Sequence, residues 1–193
     1  MNSSESRPVD AVLDLAGLTA LVTGASGHIG GAIAERLAEA GARVVAHGFE
    51  NSERAEALAA RLGESVAVAA DLRDESAVAA VFDRQRPDIV VNNAARQPVE
   101  ALSSLSYAEW REVLSANLDA AFLVTQAAAA HWRRDGRPGS VVNIASIEGI
   151  DPAAGHAHYA TSKAGLIMFT RASALEYGGD GIRVNAVSPG LID

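Results

Sequence analysis

The sequence predicts an α/β protein built on a doubly wound parallel sheet, and three observations carry that prediction. Short apolar runs alternate with longer amphipathic stretches along the whole chain. The runs are apolar at successive positions, which suits strands covered on both faces. The first run ends in a glycine-rich turn that opens a helix. Right-handed crossovers then favour the strand order 3-2-1-4-5-6 in a three-layer α/β/α stack.

The elements follow in order. Leu18 to Thr23 reads as a buried strand, and Ile29 to Ala40 carries apolar residues at helical spacing until Gly41 ends it. Arg43 to Ala46 is the second strand, and Ser52 to Leu62 the next helix with Ser52 as N-cap. Ser65 to Ala70, Asp88 to Asn92, Gly139 to Ala145 and Ile182 to Val187 complete the strands. Between them lie helices at Asp74 to Arg84, Ser106 to Arg134 and His156 to Tyr177. Residues 1–13 form a polar tail, and residues 14–193 a single domain.

Composition narrows the function. A chain of 193 residues with 49% apolar and 21% charged residues is an ordinary globular domain. A net charge of −8 argues against a nucleic-acid partner and leaves small molecules as ligands. The absence of cysteine excludes disulfides, thiolate nucleophiles and cysteine-bound zinc. His156 and His158 lie two apart but do not make a convincing metal cluster. No secretory signal is expected, nor a membrane span of ~18 apolar residues, so the expected location is cytoplasmic.

The turn Thr23-Gly24-Ala25-Ser26-Gly27-His28-Ile29-Gly30 joins the first strand to the first helix. Glycine lets backbone approach a pyrophosphate, and the helix N-terminus behind it offers free N–H groups and partial positive charge. Within a βαβ unit this reads as a dinucleotide site. Asp71, followed by Leu72 at the end of the third strand, suits either an adenine amino group or a helix cap, although Asp74 is the better cap.

Tyr159 and Lys163 stand at i and i+4 on one helix and share a face. Lys163 is the single lysine among 16 basic side chains. A cation beside a phenol favours the phenolate and draws its pKa from ~10 towards neutrality. Ser146, just beyond a strand, would project from the carboxyl end of the sheet, where open α/β sheets bind ligands.

Thr23-Gly24 through Gly30, Asp71, Asn92-Asn93-Ala94-Ala95, Asn117, Ser146, Tyr159 with Lys163, and Pro189-Gly190 occur in a familiar order and spacing. Together they resemble the short-chain dehydrogenase/reductase family with its Rossmann-like fold. The resemblance implies Tyr159 as acid/base, Ser146 as the group polarising a carbonyl, and Lys163 as the residue that lowers the tyrosine pKa and binds the nicotinamide ribose. It implies that Asn117 holds a water in a proton relay, and that Asn92, Asn93 and Ala94 line the cofactor cleft. Gly24, Ser26, His28, Ile29, Gly30, Asp71, Leu72, Pro189 and Gly190 complete the implied cofactor contacts. The implied reaction is hydride transfer between a nicotinamide and a carbonyl or secondary alcohol.

Three departures stand out. The glycine spacing is that of the longer branch with nucleotide-sugar epimerases, Ala95 replaces a glycine, and Pro189-Gly190 is followed by three residues only. The family continues for roughly fifty more, so a last strand and helix are expected to be lacking, which leaves Ile182 to Val187 as an exposed edge. Alternatives are thus an epimerase-like enzyme or a non-catalytic dinucleotide-binding module. Gly48 stands where NAD-selective members carry aspartate, which favours NADP with Ser52 and Arg54 as phosphate contacts, whereas Glu50 favours NAD. Arg96, Gln97, Ile147, Glu148 and the 151–158 loop would line a substrate site. The two long alanine-rich helices suggest a homodimer or homotetramer, as such helices form in the family.

Overall fold

A computed structural model describes residues 14–192; the expected tail at 1–13, and Asp193, lie outside the described residues. Six parallel strands form one sheet: β1 (Thr19–Val22), β2 (Arg43–Gly48), β3 (Val66–Ala69), β4 (Ile89–Asn92), β5 (Gly139–Ile144) and β6 (Ile182–Val187). Their order is β3-β2-β1-β4-β5-β6. Between them run α1 (His28–Glu39), α2 (Ser52–Ala59), α3 (Glu75–Gln85), α4 (Tyr107–Leu114), α5 (Ala120–Arg134) and α6 (Ala157–Tyr177). The expected fold class and strand order are both observed.

The period of two along each strand explains the layers. Leu21, Val45, Val90, Val141 and Val184 join Val78, Phe82, Val124 and Trp132 of the helices in one core. Their neighbours Val22, Val44, Ala46 and Val91 face Ala34, Ala55 and Leu58 in the other. Trp132 is fully buried and donates its indole N–H to the Pro87 carbonyl at 2.7 Å, so its polar atom is not stranded. Among the described residues β6 pairs only with β5, and from Asn185 onward its residues are exposed, as expected of an edge.

Two local expectations need correction. Ser52 is the first residue of α2, not its cap; Asn51 holds that position without a side-chain hydrogen bond. The helix also ends at Ala59, because Arg61 and Leu62 bond back only three residues and lead into Gly63. The long helix expected from Ser106 is capped by Ser106, which accepts from the Glu109 N–H. It is broken, however, into α4 and α5 by a π-helical turn over Ser115–Asp119. Such turns insert one extra residue per turn and rotate the helix face, and here the turn carries Asn117. By length and composition Tyr107–Arg134 could cross a membrane; in the fold Val124, Ala128 and Trp132 commit one side of it to the core.

Candidate active site

A cleft of about 1070 Å³ opens at the carboxyl ends of the strands. Its floor is the glycine-rich turn, and packing rather than turn flexibility fixes that sequence. A Cβ at Gly24 would lie 2.8 Å from the Ala94 Cα, and Gly24 also has a φ of +64°. A Cβ at Gly30 would lie 2.4 Å from the Gly24 carbonyl oxygen. At Gly27 the nearest atom would be 3.4 Å away, an ordinary contact. The packing of the protein itself therefore leaves room for a Cβ at Gly27, and His28 begins α1.

Thr23 and Asn93 hold this turn to β4. The Thr23 hydroxyl accepts from the Asn93 N–H at 2.9 Å and the Ala94 N–H at 3.0 Å, and donates to the Val91 carbonyl. The Asn93 amide donates to the Thr23 and Gly24 carbonyls. From the other side, His47 accepts the Gly24 N–H at Nδ1, 3.1 Å away. Its Nε2, 2.9 Å from the Ala70 carbonyl, must then carry the proton. Burial is the main cause holding His47 below the ordinary imidazole range; its bond to Ala70 and the Asp71 charge oppose it. A histidine inside an apolar strand was the only sequence signal for this brace.

Ser146, Tyr159 and Lys163 come together on the cleft wall. Ser146 lies two residues beyond β5 in extended backbone, and its hydroxyl accepts the Glu148 N–H. Burial raises the Tyr159 phenol above its usual value; a hydrogen bond with Ser146 opposes this, and the Glu148 charge adds to it. The Lys163 ammonium donates to the Ile144 carbonyl at 2.7 Å and stands 5.6 Å from the Tyr159 ring centroid. Burial brings the Lys163 pKa down to about 8. One of its three donors meets Ile144, so a buried cation borders the cleft with donors to spare.

Of the expected site residues, Gly24, Ser26, His28, Ile29, Gly30, Asp71, Leu72, Asn93, Ala94, Pro189 and Gly190 all line this one cleft. Asn92 does not: it donates inward to Thr125 and Asn143, because alternate strand residues face opposite ways. Asn117 is also behind the wall. Its carbonyl oxygen accepts the Arg96 N–H at 2.7 Å, and its amide donates to the Arg96 carbonyl and the Ser162 hydroxyl. The side chain braces a loop against α6, and one acceptor position of its carbonyl oxygen stays open. Asp71 is not a cap; Arg73 holds it bidentately, and that hydrogen bonding is the chief cause keeping its carboxyl below the usual range. Asp74 caps α3, accepting from Ser76 and Ala77.

At the β2 end, Phe49, Glu50 and Asn51 reach the cleft. Ser52 lines neither it nor the adjoining recess, so the expected phosphate contact is not placed there. Arg54 lines that recess together with Ser26, His28 and Arg61. Arg73 and Glu112, which the sequence did not single out, pair at 2.8 Å on the cleft wall.

Two outcomes test this construction. Gly30→Ala should destabilise the fold by about 3 kcal/mol in chemical denaturation, the scale of overpacking, whereas Gly27→Ala should cost less than about 1 kcal/mol. For His47, a depressed pKa means stability that is present above about 6.5 and lost as pH falls through the folded value. The wild-type thermal midpoint should accordingly fall faster between pH 7 and 5 than that of His47→Ala; parallel profiles would refute the brace.

Comparison with known proteins agrees with this geometry. The family model for short chain dehydrogenase matches residues 18–193. Glucose 1-dehydrogenase 2 of Bacillus subtilis is 36% identical over 189 residues, which span 93% of this chain and 73% of that protein. The 3beta-hydroxysteroid dehydrogenase 1 of Eggerthella lenta is 37% identical, over 93% of this chain and 72% of its own length. A dehydrogenase/reductase structure from Sinorhizobium meliloti superposes with a TM-score of 0.89 at 34% identity, covering 95% of this chain and 76% of that one. The chain belongs to the short chain dehydrogenase family of oxidoreductases.

Proposed function

We propose that the chain forms the catalytic body of an NADP-dependent oxidoreductase acting on a small secondary alcohol or its carbonyl. The observation that carries this reading is the meeting of Ser146, Tyr159 and Lys163 in the cleft that the glycine-rich turn also lines. The residues fit a dinucleotide. The first-turn N–H groups of α1 lack partners within the helix, and Lys163 has donors to spare for ribose hydroxyls. When bound, the nicotinamide supplies or accepts the hydride.

The protein's own work is to orient and to move one proton. Ser146 would donate to the carbonyl oxygen, and the neutral Tyr159 hydroxyl would give that oxygen its proton as hydride reaches the carbon. In the reverse direction the phenolate removes the alcohol proton. Because Tyr159 is raised, its acid form is the one present at neutral pH. Reduction should therefore hold steady through neutral pH and fall only as the phenol ionises, while oxidation should climb over that same alkaline range.

NADP is favoured by the lack of an acidic side chain at Gly48 and by Arg54 in the recess beside Ser26 and His28. Glu50 on the cleft wall favours NAD as the second reading. We further propose a cytoplasmic homodimer or homotetramer joined through α4–α5 and α6, where Phe122 and Met168 are exposed.

Thermal unfolding with NADPH or NADH tests the cofactor. A hundredfold excess over the dissociation constant adds ~2.7 kcal/mol of stability, and NADPH should give the larger shift. A larger shift with NADH would reverse the choice, and no shift with either would refute dinucleotide binding. Tyr159→Phe should retain the cofactor shift while losing ~10²–10⁴-fold in turnover; unaltered turnover would sink the acid/base role.

A further inference from the structure

Beside the reacting groups lies a polar cluster that the proton-transfer chemistry does not use. Glu148 follows Ser146 by two residues, on a short 3₁₀ turn, and lines the cleft. Its carboxylate is gripped from both sides. One oxygen is 2.7 Å from His156 Nδ1, and the other accepts from the Gln97 amide at 3.1 Å. The Glu148 and His156 side chains are only 16% and 15% exposed. His156 in turn packs edge-on to the Tyr159 ring, with centroids 6.0 Å apart. Three elements therefore converge here: the loop after β4, the turn after β5 and the start of α6.

A carboxylate has about four lone-pair positions, and these two partners occupy two of them. Glu148 lines the cleft together with Ser146 and Tyr159, near enough for its charge to act on the phenol. An aliphatic chain pressed against those free positions would strip water from a charge and return nothing. A hydroxyl there would donate to the carboxylate in a charge-assisted bond. The negative charge also disfavours carboxylated or phosphorylated substrates at this point.

We propose that Glu148, held by His156 and Gln97, is a second hydroxyl-binding point next to the reacting carbon. It would make a neutral vicinal diol, or the matching hydroxy ketone, the preferred substrate class. The inference rests on the oxidoreductase reading above and deepens it.

The test compares butane-2,3-diol with butan-2-ol, which share a carbon skeleton and differ by one hydroxyl. With NADP⁺ and the full chain, the wild-type kcat/KM should favour the diol by at least ~100-fold, the scale of a site built around a hydroxyl. Glu148→Ala should bring that ratio close to one, mainly through the KM of the diol. Glu148→Gln, which retains an acceptor oxygen, should preserve part of it. A wild-type ratio near one, or an unchanged ratio in Glu148→Ala, overturns the proposal. Saturation-transfer NMR of the two alcohols with protein and NADP⁺ reads the same preference without turnover. A diol preference in binding with no turnover supports the subsite and overturns the oxidoreductase reading, whereas binding of neither alcohol overturns both.

Discussion

The close seat of the glycine-rich turn on the end of β4 is the constraint from which the rest of the cleft follows. Backbone meets backbone there, with no room for a side chain at Gly24 or Gly30. Such contact is stable only if the polar groups it buries are paired. Thr23 and Asn93 supply those pairs on one side, and His47 on the other. Once the turn is fixed, α1 must start at the cleft, and its free N–H groups become a site for a ligand. Cofactor binding and core packing at this end are therefore one problem with one solution.

A second constraint acts under the reacting groups. Asn92, Thr125, Asn143 and Thr170 form a buried polar chain from β4 through α5 and β5 to α6. Thr170 ends the chain on the Leu166 carbonyl of its own helix. Hydrogen bonds in a core are directional, so they fix how α6 sits against the sheet more closely than apolar contact alone. Ser146 is set by β5, and Tyr159 and Lys163 by α6. The chain thus sets the relation between the groups that share the proton. Lys163 shows the cost of that arrangement, since burial depresses its pKa to about 8.

The sequence was most legible where a short-range pattern decides the structure. Runs apolar at successive positions mark strands covered on both faces, and right-handed crossovers between them favour one doubly wound order, so the sheet order and cleft position were readable. Asp74 was a recognisable cap because capping is local, although the same rule misplaced the cap of α2 by one residue. What escaped was set by distant partners. Nothing near Asn117 in sequence announces Arg96 or Ser162. Asn92 and Asn93 differ only in strand parity, and the exact end of β4 decides which faces the cleft.

Lys163 carries the same lesson into the chemistry. The i, i+4 spacing to Tyr159 suggested direct electrostatic control of the phenol, and the shared helix face is real. Yet the ammonium is drawn to the Ile144 carbonyl at the end of β5, because a buried cation takes the strongest acceptor in reach. Burial and the nearby Glu148 charge raise the phenol, and the hydrogen bond with Ser146 opposes them. Two residues on one helix face share a neighbourhood, and the nearest strand end decides how closely they act on each other.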